Sequence, residues 1–68
     1  MIVQDKKGNE IKLNDRFMYN AGKTGMVKGS RREVKGVDSF VWDDGVVHPV
    51  EDFYSPEDSK DFELISKG

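Results

Sequence analysis

Val37-Asp38-Ser39-Phe40-Val41-Trp42-Asp43-Asp44-Gly45-Val46-Val47-His48-Pro49-Val50 is the stretch on which the fold turns. From Val37 to Asp43 it alternates in the period of two that places successive side chains on opposite faces of a strand. Val37, Ser39 and Val41 fall on one face, and Asp38, Phe40 and Trp42 on the other. The β-branched and aromatic content suits a pleated, half-buried surface. Asp43-Asp44-Gly45 then reads as a hairpin, because Asp-Gly supplies the positive φ angles of a tight primed turn. Val46 to Val50 returns as the partner strand. The unit of this fold is therefore a short antiparallel hairpin.

Working outward, the same grammar repeats. Gly8, Gly22, Gly25, Gly29, Gly36 and Gly45 punctuate short runs rich in Val, Ile, Phe and Tyr, as expected for short strands joined by tight turns. Ile2 to Gln4 reads as a strand, Asp5 to Asn9 as a turn, and Glu10 to Leu13 as a return. Arg16 to Asn20 is a strand with Phe17 and Tyr19 on one face and Met18 on the other. Thr24 to Lys28 is a strand and Gly29 to Gly36 a charged loop. Glu51 to Tyr54 reads as one helical turn, Ser55 to Lys60 as a polar loop broken by Pro56, and Asp61 to Ser66 as a last strand. No window carries apolar residues at i, i+3, i+4 and i+7 over three turns, so a long helix is not expected. The reading is all-β, one domain over 1–68. Five or six short antiparallel strands would close into a small barrel, which removes aggregation-prone edges. The expected core is Ile11, Phe17, Val27, Val37, Val41, Val47, Val50, Phe62 and Leu64.

Composition bounds the function. With 68 residues and no cysteine, neither disulfides nor thiolate zinc sites are available, and the expected setting is cytoplasmic. No run approaches the roughly 20 apolar residues of a membrane span, and Met1 to Lys7 lacks the apolar core of a signal peptide. Charged residues are 35% of the chain, 11 basic and 13 acidic, for a net of -2. That balance is unlike the strongly basic surface of a general nucleic-acid binder. The charges are nonetheless segregated. Lys23, Lys28, Arg31, Arg32 and Lys35 crowd the middle, whereas acidic residues dominate from Glu51 onward.

Three segments carry a family likeness. They are Leu13-Asn14-Asp15-Arg16-Phe17, Gly22-Lys23-Thr24-Gly25-Met26-Val27 and Val41-Trp42-Asp43-Asp44-Gly45. Together, over about half the chain, they resemble the KOW-type and Tudor-like branch of SH3-like barrels. That branch opens a strand after a Gly-Asp or similar pair, here Asn14-Asp15. The resemblance implies a five- to six-stranded SH3-like antiparallel barrel. Its KOW side implies contact with nucleic acid. Its Tudor side implies an aromatic cage for a methylated lysine or arginine, drawn from Tyr19, Phe40, Trp42, Phe53 and Tyr54. Barrels of this type also resemble small phage and prophage proteins, which implies a virus-encoded origin as one expectation.

Catalytic chemistry finds little footing. His48 is the only histidine, and without a paired nucleophile it reads as a strand residue rather than a general base. Asp43-Asp44, Glu51-Asp52 and Glu57-Asp58 are adjacent carboxylates, but strand neighbours point to opposite faces, so adjacency does not make them converge on a metal. Gly22-Lys23-Thr24-Gly25 resembles part of a phosphate loop, yet position 17 is Phe17 rather than the required glycine, and no helix follows to cradle a phosphate. Neither enzyme, metal, cofactor nor small-molecule substrate is expected.

The aromatic residues are more informative. If Val37 and Val41 face the core, Phe40 and Trp42 face outward, and such rings mark contact surfaces. In the opposite phase, Phe40 and Trp42 are themselves core. The expected function is a non-catalytic module, an adaptor or inhibitor, that docks on a larger protein through Tyr19, Phe40, Trp42, Phe53 and Tyr54 and its charged loops. The alternative is RNA or single-stranded DNA binding through Lys23, Lys28, Arg31, Arg32 and Lys35, with bases stacked on the rings.

Overall fold

In a computed structural model covering residues 1–68, five antiparallel strands form one sheet. They are β1 (Arg16–Asn20), β2 (Met26–Val34), β3 (Val37–Trp42), β4 (Val47–Pro49) and β5 (Phe62–Ser66). A single helical turn, α1 (Val50–Phe53), follows β4. Short 3-10 turns occupy Gly22–Thr24 and Pro56–Asp61. The sheet order is β4-β3-β2-β1-β5. β4 and β5 are its two edges, and no ladder joins them, so the sheet is open by hydrogen bonding. Its radius of gyration, 10.7 Å, is near the value of about 10.9 Å expected for a compact chain of this length.

The stretch read as a charged loop is strand. β2 runs unbroken through Gly29-Ser30-Arg31-Arg32-Glu33, and Val34 pairs with Val37 across a two-residue turn. Lys35 and Gly36 both take positive φ, 51° and 80°, the signature of the primed turn that matches strand twist. At Asp43-Asp44-Gly45 the turn is longer than expected. Gly45 N–H donates to the Trp42 carbonyl and Trp42 N–H to the Val46 carbonyl, each at 2.9 Å. A three-residue loop ending on a positive-φ glycine, here at 94°, is the bulged alternative to the two-residue turn.

The phase of β3 is the main correction. Phe40 is fully buried, while Val37 and Val47 remain 48% and 41% exposed. Phe40 pairs across β2 with Arg31, and Gly29 pairs with both Phe17 and Trp42. Paired residues share a face, so Phe17, Tyr19, Phe40 and Trp42 lie on the inner side and Val37, Val41 and Val47 on the outer. Two competing apolar faces settle on the one that buries the larger rings, because burying a phenylalanine contributes about 1.5–3 kcal/mol. The core comprises Val3, Ile11, Phe17, Phe40, Val50, Tyr54 and Phe62, with Tyr19, Trp42, Phe53 and Leu64 packed around it. Val27 and Val41, expected in the core, are only half-buried.

Polar anchors fasten the first fifteen residues to the sheet. The buried Asp5 carboxylate accepts from the Lys7, Asn9 and Leu64 amides at 2.9, 2.8 and 2.8 Å. Burial pushes its pKa upward, but those hydrogen bonds outweigh burial and hold it below the usual range. Asp15 behaves alike: burial opposes ionisation, while the Lys12 and Gly68 amides and Lys67 overcome it. Arg31 is buried. It forks onto Asp38 at 2.9 and 2.6 Å and donates to the Ile11 and Met1 carbonyls. These bonds compensate the cost of desolvating a charge.

Both sheet edges are blunted. Lys6 N–H donates to the Phe62 carbonyl, so the N-terminal arm covers β5. β4 has three residues and ends in Pro49, which has no N–H for another strand. No helix is long and apolar enough to cross a membrane.

Candidate functional site: an aromatic cleft

Three rings from three elements meet at one surface. Tyr19 comes from β1, Trp42 from the end of β3 and Phe53 from the end of α1. Tyr19 and Trp42 stack with centroids 5.6 Å apart and planes inclined by 16°. Phe53 stands edge-on to both, 5.3 Å from Tyr19 and 5.6 Å from Trp42. His48 lies beside them, its ring 5.2 Å from Phe53 and 6.0 Å from Trp42. The rings border an open cleft of about 510 Å³, with Val27 also in its lining and Lys28, Asp43 and Asp44 at its margin.

Local chemistry explains each placement. Tyr19 follows Phe17 by two and so shares its inward face. Trp42 can approach β2 because the residue opposite is Gly29. A Cβ at Gly29 would lie 2.7 Å from Trp42 Cε3 and 2.7 Å from the Val41 carbonyl oxygen. Phe53 is set by α1, which closes with Tyr54 N–H donating to the Val50 carbonyl at 2.8 Å before the chain extends again. The rim is fixed by Arg16, whose two Nη atoms fork onto Asp43 at 2.8 and 2.9 Å. That bidentate bond holds the Asp43 carboxyl below its ordinary range. Asp44 Oδ1 accepts from the Val46 amide at 3.0 Å, which tightens the turn.

Charge around the cleft is mixed. Burial raises the Tyr19 phenol, and the carboxylates of Asp58 and Asp61 raise it further against the opposing effect of Lys60. A phenol in that environment stays protonated at neutral pH and presents an O–H for hydrogen bonding.

No protein family, curated protein or solved structure matches the chain.

Of the five aromatic residues expected at a contact surface, the structure brings Tyr19, Trp42 and Phe53 together and withdraws two. Phe40 is fully buried, 5.2 Å from Phe17 and 5.3 Å from Phe62. Tyr54 is 8% exposed, and its hydroxyl is turned inward. It accepts from the Gln4 amide at 3.1 Å and donates to the Gln4 carbonyl at 3.3 Å.

The basic residues do not gather either. Arg31 is committed to Asp38 and the arm. Lys23 lies in the turn before β2 and Lys35 in the turn after it. The two turns are thus at opposite ends of the nine-residue β2, whose contour is roughly 26 Å at about 3.3 Å per step. Lys28 and Arg32 share the outer face of β2, and Lys28 also reaches the cleft margin. Gly29 was not legible as a site residue. Its only signal is a glycine where β2 needs a side chain, which marks a close approach.

Proposed function

We propose that this chain is a small non-catalytic binding module, of the SH3-like barrel type with KOW and Tudor-like character, whose aromatic cleft takes a segment of a larger protein. The observation that carries the reading is the convergence of Tyr19, Trp42 and Phe53 on one open cleft. Three large rings left half-buried at a surface are unusual in so small a chain, where apolar area is scarce for the core itself. Aromatic side chains in such pockets dominate protein-binding energetics. The barrel reading is supported by five short antiparallel strands in one sheet with buried residues on both faces of β2 and β3. The absence of cysteine fits work in a reducing compartment such as the cytoplasm.

The test is comparative capture. The chain and its Trp42→Ala and Phe53→Ala variants are used as baits against lysate of the native host. Captured proteins are then confirmed by titration with the purified partner. Each variant should weaken binding by about thirtyfold or more, the loss typical of a central hot spot. Unchanged partners and affinities in folded variants would remove the cleft as the site.

A further inference from the structure

The three rings of the aromatic cleft touch one another, and that contact limits what the cleft can hold. Their centroids lie 5.6, 5.3 and 5.6 Å apart in the three pairings. A cation caged between opposed faces needs a ring on each side at carbon contact distance, so the planes must stand about 7 Å apart or more. Tyr19 and Trp42 are nearly parallel but closer than that. The rings therefore form a continuous floor rather than the walls of a cage. The polar atoms on that floor are donors. The Trp42 indole N–H can only donate, and the Tyr19 phenol, kept protonated, offers its O–H. Neither forms a hydrogen bond within the chain. Every buried side-chain nitrogen and oxygen has a partner, so both atoms reach solvent. Of the acceptors at the margin, Asp43 has both oxygens on Arg16, and Asp44 is exposed and turned to the Val46 amide.

We propose that the segment taken by this cleft is extended and proline-rich. The proposal rests on the cleft being a protein-binding site and names the chemistry of its ligand. The floor supplies apolar area and two free donors, so its complement is an apolar segment that brings acceptors. An ordinary segment also brings N–H groups, and those covered by the rings would lose water without gaining a partner, which costs free energy. Proline has no N–H. A run of prolines lays compact apolar rings on the floor while its carbonyls accept from the Trp42 N–H and the Tyr19 O–H. Its extended helix is formed before binding, so little further ordering is needed. Single-stranded nucleic acid has bases that stack on such rings, but its phosphates fit the surroundings poorly. Lys28 is the one cation in the lining, beside Asp43 and Asp44, and the carboxylates of Asp58 and Asp61 act on Tyr19.

The probe is acetyl-nonaproline-amide. A glycine–serine peptide of equal length, a trimethyllysine peptide and oligothymidylate are the comparators. Binding is read from the side-chain resonances of Tyr19, Trp42 and Phe53, and in the parent also from the emission of Trp42, the only tryptophan. Nonaproline should shift all three rings saturably, and each comparator should bind more weakly. Tyr19→Phe and Trp42→Phe each keep a ring and remove a donor. Each should weaken the proline peptide by about two- to twelvefold, the range of one hydrogen bond, with an unaltered amide spectrum showing that the fold is kept. No saturable shift with nonaproline, equal or tighter binding of any comparator, or full proline affinity in either folded variant would overturn the proposal. Its failure is separable from that of the cleft. If a captured partner still loses affinity to Trp42→Ala, the cleft stands and its ligand is of another chemistry. If it does not, the cleft itself falls.

Discussion

Gly29→Ala is the substitution on which the packing argument is most exposed. Gly29 is paired with Phe17 on one side and Trp42 on the other. An added methyl would meet Trp42 Cε3 at 2.7 Å, the Val41 carbonyl oxygen at 2.7 Å and Phe17 Cζ at 3.3 Å. A tryptophan ring can turn away, but a carbonyl held in a ladder moves only with its strand. Overpacking of this kind costs about 1–3 kcal/mol. Alanine returns about 0.4–1 kcal/mol by stiffening the unfolded chain. At the middle of both ranges the net loss is about 1.3 kcal/mol, against a total stability of about 3–5 kcal/mol for so short a chain. The melting temperature should fall by about 5–10 °C, measured by circular dichroism. Because Trp42 is the only tryptophan, its emission reports the same event and should move to the red as the ring is pushed toward water. Gly8→Ala is the control. Nothing lies within 4 Å of its would-be methyl, so only backbone strain at φ 81° remains and Trp42 emission should not change. A Gly29→Ala protein that melts at or above the parent temperature with unshifted emission would refute the reasoning.

Two further outcomes follow from the polar anchors. The Asp5 and Asp15 carboxyls sit below their ordinary value of 3.8. Their contribution is therefore complete above that value and is lost as pH falls through the lowered folded values. Melting temperature should decline on acidification below about pH 4, and Asp5→Asn should flatten part of that slope in a series of thermal melts. Tyr54→Phe removes two hydrogen bonds to Gln4 and should cost about 1 kcal/mol in denaturant unfolding. It should leave partner affinity unchanged, since that ring belongs to the core rather than to the cleft.

Much of the fold was legible because local signals agreed. Arg16 to Asn20 alternates cleanly, carries Phe17 and Tyr19 on one face, and is a strand over those same five residues. The last strand and the single helical turn are also where the pattern placed them, to within a residue. Two features resisted. The run Lys28 to Lys35 looks like a solvated loop because its charges hide the alternation. Arg31 turns inward to hold the arm and Arg32 turns out, so the strand is amphipathic in charge pairing rather than in hydropathy. In β3 both faces carry apolar residues, and a shift of phase by one residue exchanges them completely. Only the partners of Phe40, brought from Phe17 and Phe62, decide which face is buried. The cleft was readable as a set of residue types but not as a set of neighbours. Nothing local says that Tyr19, Trp42 and Phe53 meet while Phe40 and Tyr54 are drawn inward.

The two ends of the chain share an anchorage. Arg31 holds the Met1 carbonyl, Asp15 holds the Gly68 amide, and Arg31 N–H donates to the Asp15 carbonyl. A short joining peptide could therefore convert the polypeptide into a ring without disturbing any strand pairing. New ends could then be cut at the two-residue Lys35–Gly36 turn. Such a rewired molecule would keep its side-by-side ladder while placing fusion partners at the tip of a hairpin instead of beside the arm.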